Sequence, residues 1–204
     1  MQNKNLTKGV KFIVGIDEVG RGPFAGPVAV CAFKMALDFK AATFGKIKDS
    51  KKLTPEKREK ILAKLKILKK QKIVDFFCCY QSAKIIDKIG LSKATKNCLE
   101  KALKKLKVKP KECLILLDGG LKAPQKYKNQ KTIIKGDEKE RAIAFASIVA
   151  KVSRDALMCK LAKKYPKYSF EIHKGYGTLK HRQLIMKNGL SPIHRRCFCK
   201  NYLG

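Results

Sequence analysis

The chain has 204 residues, of which 45% are hydrophobic, so it can bury a core of ordinary size and is not disordered as a whole. Forty-eight Lys and Arg against sixteen Asp and Glu give a formal net charge of +32, which predicts a polyanionic partner. Nucleic acid fits this charge better than a membrane surface, because the basic helices carry ordinary core stripes and no apolar run reaches membrane-spanning length. An organism-wide lysine bias would also inflate the charge, so we credit about half of the excess to function.

Five segments have the apolar pattern of β-strands, at residues 11–18, 26–35, 74–81, 112–119 and 131–137. Helical periodicity occurs at residues 54–70, 92–107, about 138–163 and about 178–187. Two leading strands joined by a short loop, followed by strands that alternate with helices, predict a mixed sheet with a hairpin-like start and parallel additions. We therefore expect one α/β domain over residues 1–204, with a helical C-terminal extension at about 166–204.

The first strand ends in two adjacent carboxylates, Asp17 and Glu18, and a Gly-Arg-Gly sequence follows at residues 20–22. Side chains alternate in direction along a strand, so two neighbours can share one site only where the strand ends or twists. The two glycines allow that departure. For this pair taken alone, solvated acids in a surface turn are an equally good interpretation.

Two further acids follow later apolar strands. Asp118 precedes two glycines, which is also typical of a turn, and Asp137 precedes a helix, where with Glu140 it resembles a capping pair. If the strands are neighbours, the four carboxylates meet at one rim, where their repulsion requires a cation. Such oxygen ligands suit Mg²⁺ or Mn²⁺, and a pair of these ions supports phosphodiester hydrolysis.

The chain contains eight cysteines, and the adjacent pair Cys78 and Cys79 lies in an apolar strand. We expect all eight to be reduced and the compartment to be the cytoplasm. Cys197, Cys199 and His194 suggest half of a metal site, but no second half with zinc-like spacing occurs. The apolar stretch near the start is interrupted by acids too early for a signal peptide.

Seven blocks in order resemble the ribonuclease HII family, the type 2 ribonucleases H: GIDEVGRGP (15–23), DSKKL (49–53), LLDG (116–119), KGD (135–137), ASIVAKVSRD (146–155), HKGYGT (173–178) and HRRCF (194–198). The resemblance implies a ribonuclease-H-like fold, a mixed five-stranded sheet flanked by helices. It also implies that the catalytic and metal-binding carboxylates are Asp17, Glu18, Asp118 and Asp137.

The resemblance further implies which residues contact the substrate. Gly20, Arg21 and Gly22 recognise the 2′-hydroxyl of the ribonucleotide 5′ to the cut, largely through main-chain groups, and Tyr176 packs on the following deoxyribose. From the residues alone, a buried core tyrosine is the better interpretation of Tyr176.

Residues of the DSKKL block and of the tail complete the implied substrate set. Ser50, Lys51 and Lys52 hold backbone phosphates, and Arg195 and Arg196 are contacts from the tail, although loop lysines are usually just solvated. In the 146–155 block, small residues on one helix face predict close packing against the sheet.

The implied activity is that of an endonuclease with Mg²⁺ or Mn²⁺, two ions per active site when substrate is bound. We expect a monomer, because nothing in the sequence suggests a dimer seam. It would cut the RNA strand of RNA/DNA hybrids and nick duplex DNA 5′ of embedded ribonucleotides, leaving 5′-phosphate and 3′-hydroxyl ends. One alternative is the sister type HIII, which usually has other residues after the Asp-Glu pair and an extra N-terminal domain; Arg21 and the roughly ten residues before the first strand favour type HII. A non-catalytic basic nucleic-acid-binding protein is the other, but pure binding has no use for four converging carboxylates.

Overall fold

The computed structural model describes residues 9–45 and 53–202, so Ser50, Lys51 and Lys52 lie outside the described residues. Within the described residues the sheet has five strands in the order β3-β2-β1-β4-β5: β1 (Phe12–Val19), β2 (Val28–Ala36), β3 (Val74–Gln81), β4 (Cys113–Asp118) and β5 (Gln130–Ile133). The central strand β1 is antiparallel to β2 and parallel to β4. The predicted mixed five-stranded sheet is confirmed.

The helices are α1 (Pro55–Lys70), α2 (Ala83–Ile89), α3 (Leu91–Lys105), α4 (Gly136–Lys139), α5 (Arg141–Lys164), α6 (Phe170–His173) and α7 (Leu179–Asn188). One face of the sheet packs on α3, and the other packs on α1 and α5. Apolar side chains on both faces of β1 and β2 explain why the middle of β1 and most of β2 are buried. None of these helices is long and apolar enough to cross a membrane.

Three features of the chain path differ from the sequence predictions. β3 is antiparallel to β2, so the chain re-enters the sheet at the end where β2 leaves it and not at the opposite end, as a parallel addition requires. β5 ends at Ile133, before a left-handed residue, Lys135 (φ 54°), so Asp137 lies in the short helix α4 and not at a strand end. The short helices α2 and α6 were not predicted, because one or two turns are too short to show helical periodicity.

The long helix α5 packs directly on the backbone of β1 at Gly15. A Cβ atom at Gly15 would lie 2.1 Å from the carbonyl carbon and oxygen of Ala142. The small residues at the start of α5, such as Ala142 and Ala146, are buried in the same contact. The backbones of β1 and α5 therefore meet with no side chain between them. This contact fixes the distance between α5 and the sheet.

The three histidines of the chain form one buried cluster in its C-terminal part. The rings of His173 and His181 stack with centroids 4.1 Å apart, and Nε2 of His181 lies 3.0 Å from Nε2 of His194. Burial lowers the pKa of His181 and of His194 to about 4. Nδ1 of His181 also lies 2.9 Å from the carbonyl oxygen of Tyr176, so the cluster supports the segment that carries this tyrosine.

Replacing Gly15 with alanine should destabilise the protein by about 3 kcal/mol, because the added methyl group would collide with the backbone of α5. Urea unfolding at pH 6 followed by circular dichroism measures the change. The matched control is Gly120→Ala, at an exposed glycine where a Cβ would meet nothing within 4 Å. Equal stability of the two variants would contradict the proposed contact.

Candidate active site

Asp17 and Asp118 lie at the same edge of the sheet. β1 and β4 are parallel, and their register pairs Ile16 with Leu117, one residue before each acid. The carboxyl ends of parallel strands meet at one edge, so the two carboxylates are neighbours. The structure supports the placement that the sequence predicted for this pair.

The environment of Asp17 opposes a negative charge. Its side chain is 5% exposed, and its Oδ1 accepts a hydrogen bond of 2.7 Å from the amide of Glu18. The pKa of Asp17 is raised to about 7, chiefly because burial disfavours the charged form. A hydrogen bond with Ser147 on α5 lowers the pKa, and the charges of Asp118 and Glu18 raise it. A bound cation would relieve this repulsion.

Asp137 reaches the same region by a different route. The amide of Gly136 donates a hydrogen bond of 2.7 Å to Oδ1 of Asp118, and Asp137 follows in the chain with an exposed fraction of only 2%. The capping-pair interpretation of Asp137 and Glu140 is wrong, because the N-cap residues of α4 and α5 are Lys135 and Glu140 and neither makes a side-chain cap. In the part of the chain that the structure describes, no three acidic, histidine or cysteine side chains form a ready-made metal site.

A cavity of about 280 Å³ opens beside these acids, lined by Asp17, Glu18, Val19, Arg58, Ser147, Lys151 and Tyr176. Tyr176 is 39% exposed, and the guanidinium carbon of Arg154 lies 6.0 Å from its ring centroid. The interpretation of Tyr176 as a buried core residue is therefore wrong. Arg58 was not predicted as a site residue. It lies in the lysine-rich helix α1, where nothing in the sequence distinguishes one basic residue from another.

The Gly-Arg-Gly sequence follows β1 directly, and its two glycines differ in what the fold requires. Gly20 has a φ of 83°, and a Cβ there would lie 2.2 Å from Nε of Arg154. At Gly22 a Cβ would meet nothing within 4 Å, and the residue is exposed. Arg21 lies between them, with its Nη1 3.6 Å from Oε1 of Glu18. The fold thus requires a glycine at position 20 but leaves the space beside Gly22 open.

The two arginines of the last block have different environments. Arg195 is fully buried, and its guanidinium group donates hydrogen bonds to the carbonyl oxygens of Gly20, Arg21 and Gly26. Arg196 is exposed, and its amide donates to the carboxylate of Asp87. The placement of Arg195 does not support the predicted direct contact with substrate, whereas that of Arg196 leaves it available.

The family model described as Ribonuclease HII matches residues 14–201. The chain belongs to the ribonuclease HII family. It is therefore an enzyme, a ribonuclease H that acts on nucleic acid. The Ribonuclease HII of Caldicellulosiruptor bescii is 44% identical over 204 residues, which cover 100% of this chain and 94% of that relative.

Solved structures of ribonucleases H have the same fold. The crystal structure of the ribonuclease H2 from Pyrococcus horikoshii OT3 has a TM-score of 0.72 and 27% identity, and the match covers 94% of this chain and 96% of that one. The crystal structure titled Bst-RNase HIII in complex with Mn²⁺ has a TM-score of 0.70 at 20% identity and covers 92% of this chain and 65% of that one, so it shows the likeness of fold alone. The predicted ribonuclease-H-like fold is confirmed.

Asp17→Asn should stabilise this ribonuclease in the absence of metal, and increasingly so as the pH rises. The raised pKa means that folded Asp17 keeps a proton which the unfolded chain releases above the ordinary value of 3.8, so the stability it contributes is full at low pH and lost as the pH rises through about 7. The asparagine does not titrate, and the gain should reach about 2–4 kcal/mol at pH 8.5.

Urea unfolding in chelator at pH 5 and pH 8.5 measures this difference. The control is Asp75→Asn, since Asp75 is a partly exposed acid on β3 that pairs with Lys69 at 2.8 Å. A gain for Asp17→Asn that is equal at the two pH values would show that Asp17 is not titrating in the folded protein.

Proposed function

We propose that this ribonuclease HII is a divalent-metal-dependent endonuclease that cuts the RNA strand of RNA/DNA hybrids and nicks duplex DNA 5′ of an embedded ribonucleotide. The observation that carries the proposal is the end of β1, where the buried acid Asp17 and the open space beside Gly22 lie five residues apart in one continuous segment. Cleavage chemistry and recognition of the sugar would thus be held by the same stretch of backbone.

The donor set fits a hard divalent cation. Burial is the chief cause of the raised pKa of Asp17, and the charges of Asp118 and Glu18 add to it. Asp137 follows Gly136, whose amide donates a hydrogen bond to Asp118. These four carboxylates would hold Mg²⁺ or Mn²⁺, with two ions when substrate is bound, and the bound metal would supply a nucleophilic water and charge stabilisation of the leaving oxygen. The ribonuclease HIII relative in structure was crystallised with Mn²⁺.

The residues around the cavity suit a nucleic acid that enters beside these acids. Arg58 and Lys151 line the cavity with Asp17 and would attract the phosphates that flank the cut. The partly exposed ring of Tyr176 offers an apolar surface to a deoxyribose. In the proposal, the main chain of residues 20–22 recognises the 2′-hydroxyl, which is the group that distinguishes RNA from DNA at a single sugar.

The remaining proposals concern contacts and organisation. Arg196 would contact the backbone of the substrate from the tail, and Ser50, Lys51 and Lys52 would contact phosphates from outside the described residues. We also propose a monomer that acts in the cytoplasm as one domain, with the segment from about 166 as its C-terminal extension. Products would carry 5′-phosphate and 3′-hydroxyl ends.

Asp17→Asn should abolish cleavage while substrate binding is retained, because the change removes a charge needed to hold the metal but leaves the basic surface intact. The assay incubates protein with a DNA duplex containing one ribonucleotide, with Mg²⁺, Mn²⁺ or chelator, and maps the cut to one nucleotide beside a continuous hybrid. We expect a loss of at least about 10³-fold in rate.

The same Asp75→Asn variant serves as the control, and it should cut at the rate of the unchanged protein. Cutting of the continuous hybrid alone by the unchanged protein would favour an activity like that of type HIII. Undiminished cleavage by Asp17→Asn would falsify the proposed site.

Tyr176→Ala should reduce cleavage of the single-ribonucleotide duplex more than cleavage of a continuous hybrid, since only the former has a deoxyribose after the ribonucleotide. Loss of the ring should cost about 10-fold to 100-fold in kcat/KM on the first substrate. Tyr176→Phe keeps the ring and is the matched control. Equal losses on both substrates would count against a role at the junction.

A further inference from the structure

Two buried guanidinium groups lie behind the 20–27 loop that connects β1 to β2. Arg195 donates to the carbonyl oxygens of Gly20, Arg21 and Gly26 at 2.6, 2.8 and 3.0 Å. Arg154 donates to the carbonyl oxygens of Ala25 and Pro27 at 3.3 and 3.0 Å and to that of Lys174 at 3.0 Å. The loop therefore turns its carbonyl groups inward, towards the two arginines.

The direction of these carbonyl groups fixes the direction of the amides. In a trans peptide the C=O and N–H bonds point in opposite directions, and the described chain contains no cis peptide. The C=O of Gly20 shares its peptide with the N–H of Arg21, and the C=O of Arg21 shares its peptide with the N–H of Gly22. Both amides consequently point away from Arg195, and across residues 9–45 and 53–202 neither donates a hydrogen bond to another group.

The backbone around Arg195 is itself held in place. Its amide donates to the carbonyl oxygen of Phe24 at 2.7 Å, and the amide of Gly26 donates to that of Ile193 at 2.9 Å. The carboxylate of Asp87 accepts hydrogen bonds from the next two amides, those of Arg196 and Cys197, at 3.0 Å each. Arg195 thus reaches the loop from a fixed segment on the far side of it.

A structural role alone does not explain an arginine at this position. Burying an unpaired cation is costly, and the pKa of Arg195 is lowered to about 10 because burial disfavours its charge, with the nearby Arg154 adding to the effect. A packed apolar side chain commonly stabilises such a position as well or better. What an apolar side chain cannot do is hold three carbonyl groups in one orientation.

We propose that Arg195 is the positioning residue for ribose recognition: its guanidinium group turns the Gly20 and Arg21 carbonyls inward so that the Arg21 and Gly22 amides face the sugar. This inference rests on the proposed function, because it assigns the residue that prepares the proposed reader of the 2′-hydroxyl. The open space beside Gly22 is where the sugar would approach. Hydrogen bonding of a cation to the carbonyl side of a peptide also polarises its N–H, which strengthens these amides as donors.

The test compares Arg195→Lys and Arg195→Met in an Asp17→Asn background, in which substrate is bound but not cut. Binding is measured with two DNA duplexes that differ only in one 2′-hydroxyl, in Mg²⁺, over a range of salt concentrations. The ratio of the two affinities should fall about 10-fold for lysine, which cannot span three carbonyls, and further for methionine. Affinity for the all-DNA duplex and its salt dependence should stay unchanged.

A direct phosphate contact by Arg195 predicts a different result. In that case both duplexes would bind more weakly, the ratio would be kept, and the salt slope would fall by about one. This outcome would overturn the inference. Arg141→Lys is the matched control, since Arg141 also donates to backbone carbonyls, those of Ala41 and Gly45, but away from the 20–27 loop. Its affinity ratio should not change.

Gly22→Ala separates the inference from the proposed function on which it rests. The added methyl group meets no protein atom, so the variant should fold normally, but it would stand where the sugar approaches. If Gly22→Ala keeps the affinity ratio, the loop does not recognise the ribose and both ideas fail. If Gly22→Ala loses the ratio while Arg195→Lys keeps it, only the role of Arg195 fails.

Hydrogen exchange provides a measurement that does not depend on the folding of the Arg195 variants. In Asp17→Asn protein, the amides of Arg21 and Gly22 should exchange rapidly when free. They should become protected by the ribonucleotide duplex and not by the all-DNA duplex. Equal protection by the two duplexes, or slow exchange in the free protein, would overturn the inference.

Discussion

The close contact of α5 with β1 at Gly15 is the constraint on which the rest of the site depends. Because strand and helix backbones touch there, each later position on the two elements has a fixed partner. Ser147, one and a half turns along α5, meets Asp17, and Arg154, two turns further, meets the loop that follows β1. A larger residue at Gly15 would lift the helix and move both partners. One backbone contact thus sets the acid and the loop together.

The local charge at the site differs from the net charge of the protein. The chain has a net charge of +32, but its buried acids lie at one edge of the sheet, where burial raises the pKa of Asp17 to about 7. Behind the loop that follows β1, the guanidinium groups of Arg154 and Arg195 are buried against backbone carbonyls. Each arrangement is costly in a folded protein, and each lies beside the proposed path of the substrate. Costs of this kind are commonly tolerated at functional sites.

The strands, and the positions of Asp17, Glu18 and Asp118 at strand ends, could be predicted because they depend on local signals. Apolar runs located β1 and β4, and the resemblance of seven blocks identified the family. Asp137 was assigned to the site but to the wrong element, because a single left-handed residue, Lys135, ends β5 early and no pattern predicts it. The inward direction of Arg195 was not predictable either, since it depends on contacts with residues about 170 positions away. In the sequence, Arg195 and Arg196 are simply two adjacent basic residues, and only their packing in the fold distinguishes their roles.

The histidine cluster limits which side chains of the enzyme can take up or release a proton during the reaction. Every imidazole in the chain is buried, and the two whose Nε2 atoms face each other have a pKa near 4, so neither takes up a proton at the pH values where nucleases usually work. The three imidazoles therefore pack the C-terminal part of the chain and do not serve as the acid or base of the reaction, the role that imidazole most often has in enzymes. An ionisation that governs the rate near neutral pH would then belong to another group, such as Asp17, whose pKa burial raises to about 7. Reagents that modify histidine would report on unfolding of the C-terminal segment and not on the active site.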